Sequence, residues 1–174
     1  RAPRTARGGL RMSTLLLSVQ RDLDVIGPRG LHQFLLSRGE ESILLFLPVL
    51  ERDTEATLAA LDRFVAKTCP ALAGLSLMSF EYARAVRVTR MLRERHPGMP
   101  VVWGGIHPTC DPESSLEAAE WICIGEGEQT LLDLACAARE GRSFRDIPNI
   151  GWREGGTGTS STTSWRPPRI CPVF

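Results

Sequence analysis

Two glycine-rich loops hold most of the chemistry this chain could do. The apolar run Val101-Val102-Trp103 ends in Gly104-Gly105-Ile106-His107-Pro108-Thr109, and Trp121-Ile122-Cys123-Ile124 runs into Gly125-Glu126-Gly127-Glu128-Gln129-Thr130. An apolar run closed by Gly-Gly reads as a buried strand that feeds a loop without side chains. Bare backbone lets a large, flat or elongated ligand reach N–H and C=O groups directly, which is the chemistry of binding rather than of bond making. Two further segments, Asp22-Leu23-Asp24-Val25-Ile26-Gly27 and Ser76-Leu77-Met78-Ser79, carry short carboxylate and hydroxyl side chains in equivalent places. Plainer readings stand beside this one. Asp22 and Asp24 also read as solvated turn residues, and Glu126 and Glu128 as acids that complement a helix N-terminus. His107 precedes a proline, so it is expected to be extended and to shape its loop rather than to bind metal.

Other chemistries find little support. The five cysteines, Cys69, Cys110, Cys123, Cys136 and Cys171, are single and widely spaced, with no C-x-x-C. They read as structural or incidental thiols in a reducing cytoplasm, with no protein metal site. A formal net charge of +1 gives no electrostatic case for nucleic acid or an anionic membrane. Aromatics make up only 6% of the chain, too few for a base-stacking platform. Apolar runs such as Ile43-Leu44-Leu45-Phe46-Leu47 are far too short to span a bilayer, and no secretory signal is evident.

The loops must be positioned by elements, and these alternate regularly. Strands are expected over 14–19, 42–47, 72–78, 100–103 and 121–124. Helices are expected over 30–38, from Thr54 as N-cap to Cys69-Pro70, then over 81–95, 112–119 and 128–140. Their signals include Gly39 and Gly141 as terminators, and Asp111 as N-cap ahead of Pro112. Continuous apolar strands mean burial on both faces, hence a parallel sheet with helices on each side. The predicted fold is α/β: a flavodoxin-like (Rossmann-like), doubly wound, five-stranded parallel sheet in the order 2-1-3-4-5. Ligands bind outside the carboxyl ends of such strands, where all four loops converge. Residues 150–153 offer a short edge strand. Trp103 and Trp121 read as core, His32 and His96 as structural or exposed. Arg84, Arg87, Arg90, Arg93 and Arg95 read as the solvated face of a long helix.

At 174 residues the chain supports a single domain, expected over 13–154. Residues 1–12 read as a disordered N-terminal segment, with Met12 as a candidate natural start. The Gly/Ser/Thr tract of 155–164 has linker composition, and 155–174 reads as a linker or a truncated end.

The motifs resemble those of the cobalamin-binding domain shared by methionine synthase and the cobalamin-dependent mutases. That family carries D-x-H-x-x-G after strand one, S-x-L after strand three and G-G after strand four. Asp22 and Gly27 match the first motif, Ser76 the second and Gly104-Gly105 the third. Asp24 stands in place of the histidine and Met78 in place of the leucine. A closer resemblance is to the N-terminal domain of cobalamin-dependent radical SAM enzymes, the group of the anaerobic magnesium-protoporphyrin cyclase type and many methyltransferases. Its G-G-x-H-P-T and G-E-G-E motifs appear here as residues 104–109 and 125–128. Many members of that group lack the cobalt-ligating histidine.

The resemblance implies a cobalamin module. Its site would comprise Asp22, Asp24, Gly27, Ser76, Met78, Ser79, the 104–109 loop and the 125–128 loop. The cofactor would bind with its dimethylbenzimidazole base displaced and no protein nitrogen on cobalt. The nucleotide tail would run down past Ser76 and Gly104-Gly105. An iron–sulfur cluster and S-adenosylmethionine would belong to a radical SAM domain, supplied in cis or in trans, because no C-x-x-x-C-x-x-C occurs here. The chain is therefore expected to be a fragment or a frameshifted end that binds and does not catalyse by itself.

Three rivals share the fold. A phosphoacceptor receiver domain needs an aspartate after strand three and a lysine after strand five, where this chain has residues 76–79 and Gly125-Glu126. A dinucleotide-binding domain needs G-x-G-x-x-G after strand one, and Gly125-x-Gly127-x-x-Thr130 is incomplete and follows strand five. An interaction domain that kept the fold and lost its ligand is the remaining alternative.

Overall fold

A computed structural model describes residues 13–48 and 54–153. The expectations for 1–12 and 155–174 lie outside the described residues. Five parallel strands alternate with helices: β1 Thr14–Ser18, α1 Ile26–Ser37, β2 Ser42–Phe46, α2 Thr54–Thr68, β3 Leu72–Ser76, α3 Tyr82–Arg95 and β4 Val101–Gly104. Two short helices follow, α4 Ile106–Cys110 and α5 Pro112–Ala118, then β5 Trp121–Cys123, α6 Glu128–Glu140 and a last strand β6 Ile150–Trp152. A single 3₁₀ turn, Ser79–Glu81, leads into α3.

The strand order is β2-β1-β3-β4-β5-β6, so the expected five-stranded order is present. The short edge strand joins it as β6, antiparallel to β5. Two apolar cores flank the sheet, because successive strand residues point to opposite faces. Leu15, Leu17, Leu75, Val101 and Trp103 pack with α2, α3 and α5 on one face. Leu16, Leu72, Val102 and Cys123 pack with α1 and α6 on the other. Trp103 is fully buried, and its indole N–H donates to Thr89 Oγ1 at 2.8 Å, so the core holds no unpaired donor there. Trp121 is half-buried against Phe144 and Trp152.

Terminators act as the residue types require. Asp111 caps α5 by accepting Ser114 N–H, with Pro112 at the first helical position. Gly141 ends α6 in the left-handed region at φ 66°.

Three local expectations change. Helix α1 begins at Ile26, not at residue 30, which moves Gly27 into its first turn. His107 is helical rather than extended: Gly105 precedes α4, so Pro108 falls in the first turn, where a missing N–H costs nothing. Arg84 is buried rather than solvated; it lies on the sheet side of α3 and donates to Val19 O at 3.0 Å.

Candidate functional site

The face of the sheet under α1 and α6 tapers toward its carboxyl edge. In register across β1, β3 and β4, the lower row is Leu16–Gly74–Val102 and the upper row is Ser18–Ser76–Gly104. Bulk gives way to hydroxyls and a missing Cβ within one pleat. The opposite face keeps large residues up to Leu77 and Trp103. The taper opens a cleft of about 180 Å³ between the sheet and the two helices. Leu16, Gly74 and Val102 form its floor, Ser76, Gly104 and Cys123 its sheet wall. Gly27, Pro28 and Leu31 of α1 and Leu131 and Leu134 of α6 close the helix side, with the 125–128 loop at the top. The space depends on small residues. A Cβ at Gly74 would lie 3.1 Å from Leu16 Cδ2, and one at Gly127 would lie 3.3 Å from Leu31 Cδ2.

The loops around this cleft are stitched together on the side away from it. Arg84 ties the α3 side to the end of β1 through Val19 O. Glu81 accepts Met78 N–H at 2.9 Å and is almost wholly buried, and its Oε1 has no partner among the described residues. Burial pushes the Glu81 carboxyl up, against the opposing effects of the Met78 hydrogen bond and Arg84. The loops after β3 and β4 are joined by Leu77 N–H to Gly104 O at 3.1 Å and His107 N–H to Leu77 O at 3.3 Å. The His107 ring lies edge-on to Tyr82 and is hydrogen-bonded to Ser79 Oγ at 3.2 Å and Ser114 Oγ at 3.3 Å. Thr109 Oγ1 donates to Gly105 O at 2.9 Å and accepts Gly125 N–H at 3.0 Å, which joins the loops after β4 and β5.

The expected site residues therefore fall into two groups. Gly27, Ser76, Gly104, Gly105, Gly125, Glu126, Gly127 and Glu128 line one cleft. Asp22, Asp24, Met78, Ser79, Ile106, His107, Pro108 and Thr109 are not among its lining. Asp22 and Asp24 are exposed; Asp22 Oδ1 accepts Asp24 N–H at 2.9 Å, and Arg29 donates to the intervening Leu23 O. His107 is 5% exposed with both ring nitrogens engaged, which makes it a brace for the loop. Ile26, Phe80 and Ile106, at 83%, 70% and 55% exposure, stand on the segments that follow β1, β3 and β4. A monomer rarely leaves several large apolar side chains on one edge uncovered.

The cleft also uses residues that the motifs did not mark. Gly74 was findable, since glycine inside a strand often marks close approach by a ligand. Cys123 was not: nothing in a single thiol tells which face of its strand it takes. It is buried beside the 125–128 loop, and burial pushes its thiol up to about 11. Glu126 and Glu128 add to that rise and a Thr130 hydrogen bond opposes it. Among the described residues no group of histidine, cysteine or acidic side chains could hold a metal ion. No helix among them is long and apolar enough to cross a membrane.

Comparison with known proteins agrees with this architecture. A family model described as the B12 binding domain matches residues 12–135. The anaerobic magnesium-protoporphyrin IX monomethyl ester cyclase of Rubrivivax gelatinosus is 34% identical over 80 residues, 44% of this chain and 14% of that protein. The radical S-adenosylmethionine methyltransferase TsrM of Kitasatospora setae, solved with cobalamin and a [4Fe-4S] cluster bound, superposes with a TM-score of 0.68 at 25% identity. That match covers 81% of this chain and 29% of TsrM. The cobalamin-dependent S-adenosylmethionine radical enzyme OxsB shares the fold, with a TM-score of 0.72 at 16% identity over 93% of this chain and 23% of OxsB. The chain thus spans less than a third of each of these relatives.

Proposed function

Since this chain belongs to the B12 binding domain family, we propose that it is the cobalamin-binding module of a radical SAM methyltransferase or cyclase-type enzyme. The observation that carries this reading is the tapered cleft. A shaft floored by Gly74 and walled by Ser76 and Gly104 suits a slender group inserted between the sheet and α1/α6. The nucleotide tail of cobalamin is such a group. Ser76 would offer its hydroxyl, and the Gly104-Gly105 and 125–128 backbones would offer polar groups without side-chain obstruction. Above the shaft, Ile26, Phe80 and Ile106 offer apolar surface to the corrin ring.

Bound cobalamin would supply a cobalt centre able to carry a methyl group. The chain's own residues would hold the cofactor and leave cobalt without a protein nitrogen. His32 lies on α1 and contacts Ser42 Oγ at the start of β2, at the opposite edge of the sheet. His96 follows α3, also at that edge, and pairs with Asp62 at 2.8 Å. His107 has both ring nitrogens occupied. Asp24 takes the place of the family's ligating histidine and offers only oxygen. The iron–sulfur cluster and S-adenosylmethionine would be held by a radical SAM domain in cis or in trans, and this module alone would bind without turning over.

Titration with hydroxocobalamin, gel filtration and an absorption spectrum test the reading. One corrinoid retained per chain, with a base-off spectrum, is expected. A nitrogen-ligated spectrum contradicts the displaced base. A chain that elutes without corrinoid is instead an interaction domain that kept the fold and lost the ligand.

A further inference from the structure

The H-P-T half of the 104–109 motif stays outside the cleft although it adjoins it. Thr109 is exposed, and as a helical threonine it makes the local bond to Gly105 O, four residues back. Its second bond is not local. Oγ1 also accepts the N–H of Gly125, 16 residues away and on the next loop. Gly105 and Gly125 both line the cleft, and both have positive φ, 97° and 80°. Glycine has more backbone freedom than any other residue type, so a ligand that needs both glycines in one place loses affinity to their motion. One hydroxyl, outside the cleft's lining, ties the loop after β5 to the braced loop after β4.

We propose that Thr109 is a positioning residue: its hydroxyl pins the Gly105 and Gly125 walls together and thereby sets how long the ligand stays in the cleft. The proposal rests on the cobalamin reading for the identity of that ligand. The pin acts by preorganisation, from a residue that is not among those lining the cleft. His107 braces the same loop from the other side through Ser79 and Ser114, so the loop after β4 stays in place when the hydroxyl is removed, and the loop after β5 is the one released.

The test uses Thr109→Val, which keeps the shape and removes the hydroxyl, and Thr109→Ser, which keeps the hydroxyl. Hydroxocobalamin dissociation from Thr109→Val is expected to be about fivefold faster than from wild type, the scale of the one inter-loop hydrogen bond among the two that the hydroxyl makes, and Thr109→Ser is expected to restore it. In the ligand-free chain, the Gly125 amide is expected to exchange hydrogen faster in Thr109→Val and at the wild-type rate in Thr109→Ser. Thermal midpoints close to wild type are expected for both, because the site is exposed. Dissociation within twofold of wild type, or an unchanged Gly125 exchange rate, overturns the proposal. A wild-type chain that retains no corrinoid overturns the cobalamin reading, and the residence-time claim falls with it before any variant is made.

Discussion

The adjacent glycines of the 104–109 loop serve different physical ends. Gly104 is present for space: a Cβ there would meet only Cys123 Cβ, at an ordinary 3.8 Å, and would point into the cleft. Gly105 is present for conformation: its φ is 97°, and a Cβ would lie 2.9 Å from Leu77 O. The two substitutions should therefore separate. Gly104→Val is expected to keep its unfolding midpoint close to wild type and to lose hydroxocobalamin in gel filtration. Gly105→Ala is expected to lose about 2 kcal/mol or more of stability in urea denaturation, since strain and a backbone clash combine. A Gly104→Val chain that binds corrinoid at wild-type affinity would show that the shaft is not the site. At this scale much was legible in the sequence, because a glycine pair after an apolar run has few explanations. Which of the pair made room and which made the turn was not legible, since that depends on the neighbouring Leu77 backbone.

Among the elements, β5 and β6 decide whether the upper cleft wall exists. Strand β5 is only three residues long and pairs with β4 through Trp121 and Ile122. On its other side Cys123 pairs with Ile150, and Ile124 N–H donates to Asn149 O at 2.9 Å. Ile150 is fully buried in the core shared by α6, Cys123 and Phe144. Ile150→Ala is expected to cost about 2–4 kcal/mol in denaturant unfolding, by lost burial plus a cavity, and to weaken cobalamin retention because the 125–128 loop rises directly from β5. The strand signal of 150–153 was visible in sequence, but its antiparallel direction was not. Neither was the start of α1, which carries no side-chain cap at Val25 and so no capping signature. The helix over 106–110 was hidden for a related reason: His-Pro reads as extended until Gly105 is seen to place Pro108 in a first turn.

For the whole molecule, alkaline pH is the condition that tests how closed the cleft region is. The Cys123 thiol rises from an ordinary 9.0 to about 11 in the folded chain, chiefly through burial. A folded-state value above the unfolded one favours the protonated fold, so that stability is whole below about 9 and is lost as pH rises toward about 11. Tyr82, also raised by burial and by Glu117 and Asp111, acts in the same direction. Urea midpoints are expected to fall across that window, and Cys123→Ala is expected to flatten the fall by up to about 2 kcal/mol. Equal slopes for both chains would mean the thiol is solvated. Composition, apolar runs and helix terminators by themselves determined the α/β class and the four loops that end its strands, because periodicity and turn chemistry are local properties written in consecutive residues; the expected strand order came from the general rule for doubly wound sheets. Only the tertiary structure decided that those loops divide into a lined cleft and a hydrogen-bonded brace behind it. Register sets that division: it stacks Ser18, Ser76 and Gly104 in one row over Leu16, Gly74 and Val102, and it brings Thr109 to Gly125. Which residues share a row across three strands is a long-range fact that no stretch of sequence contains.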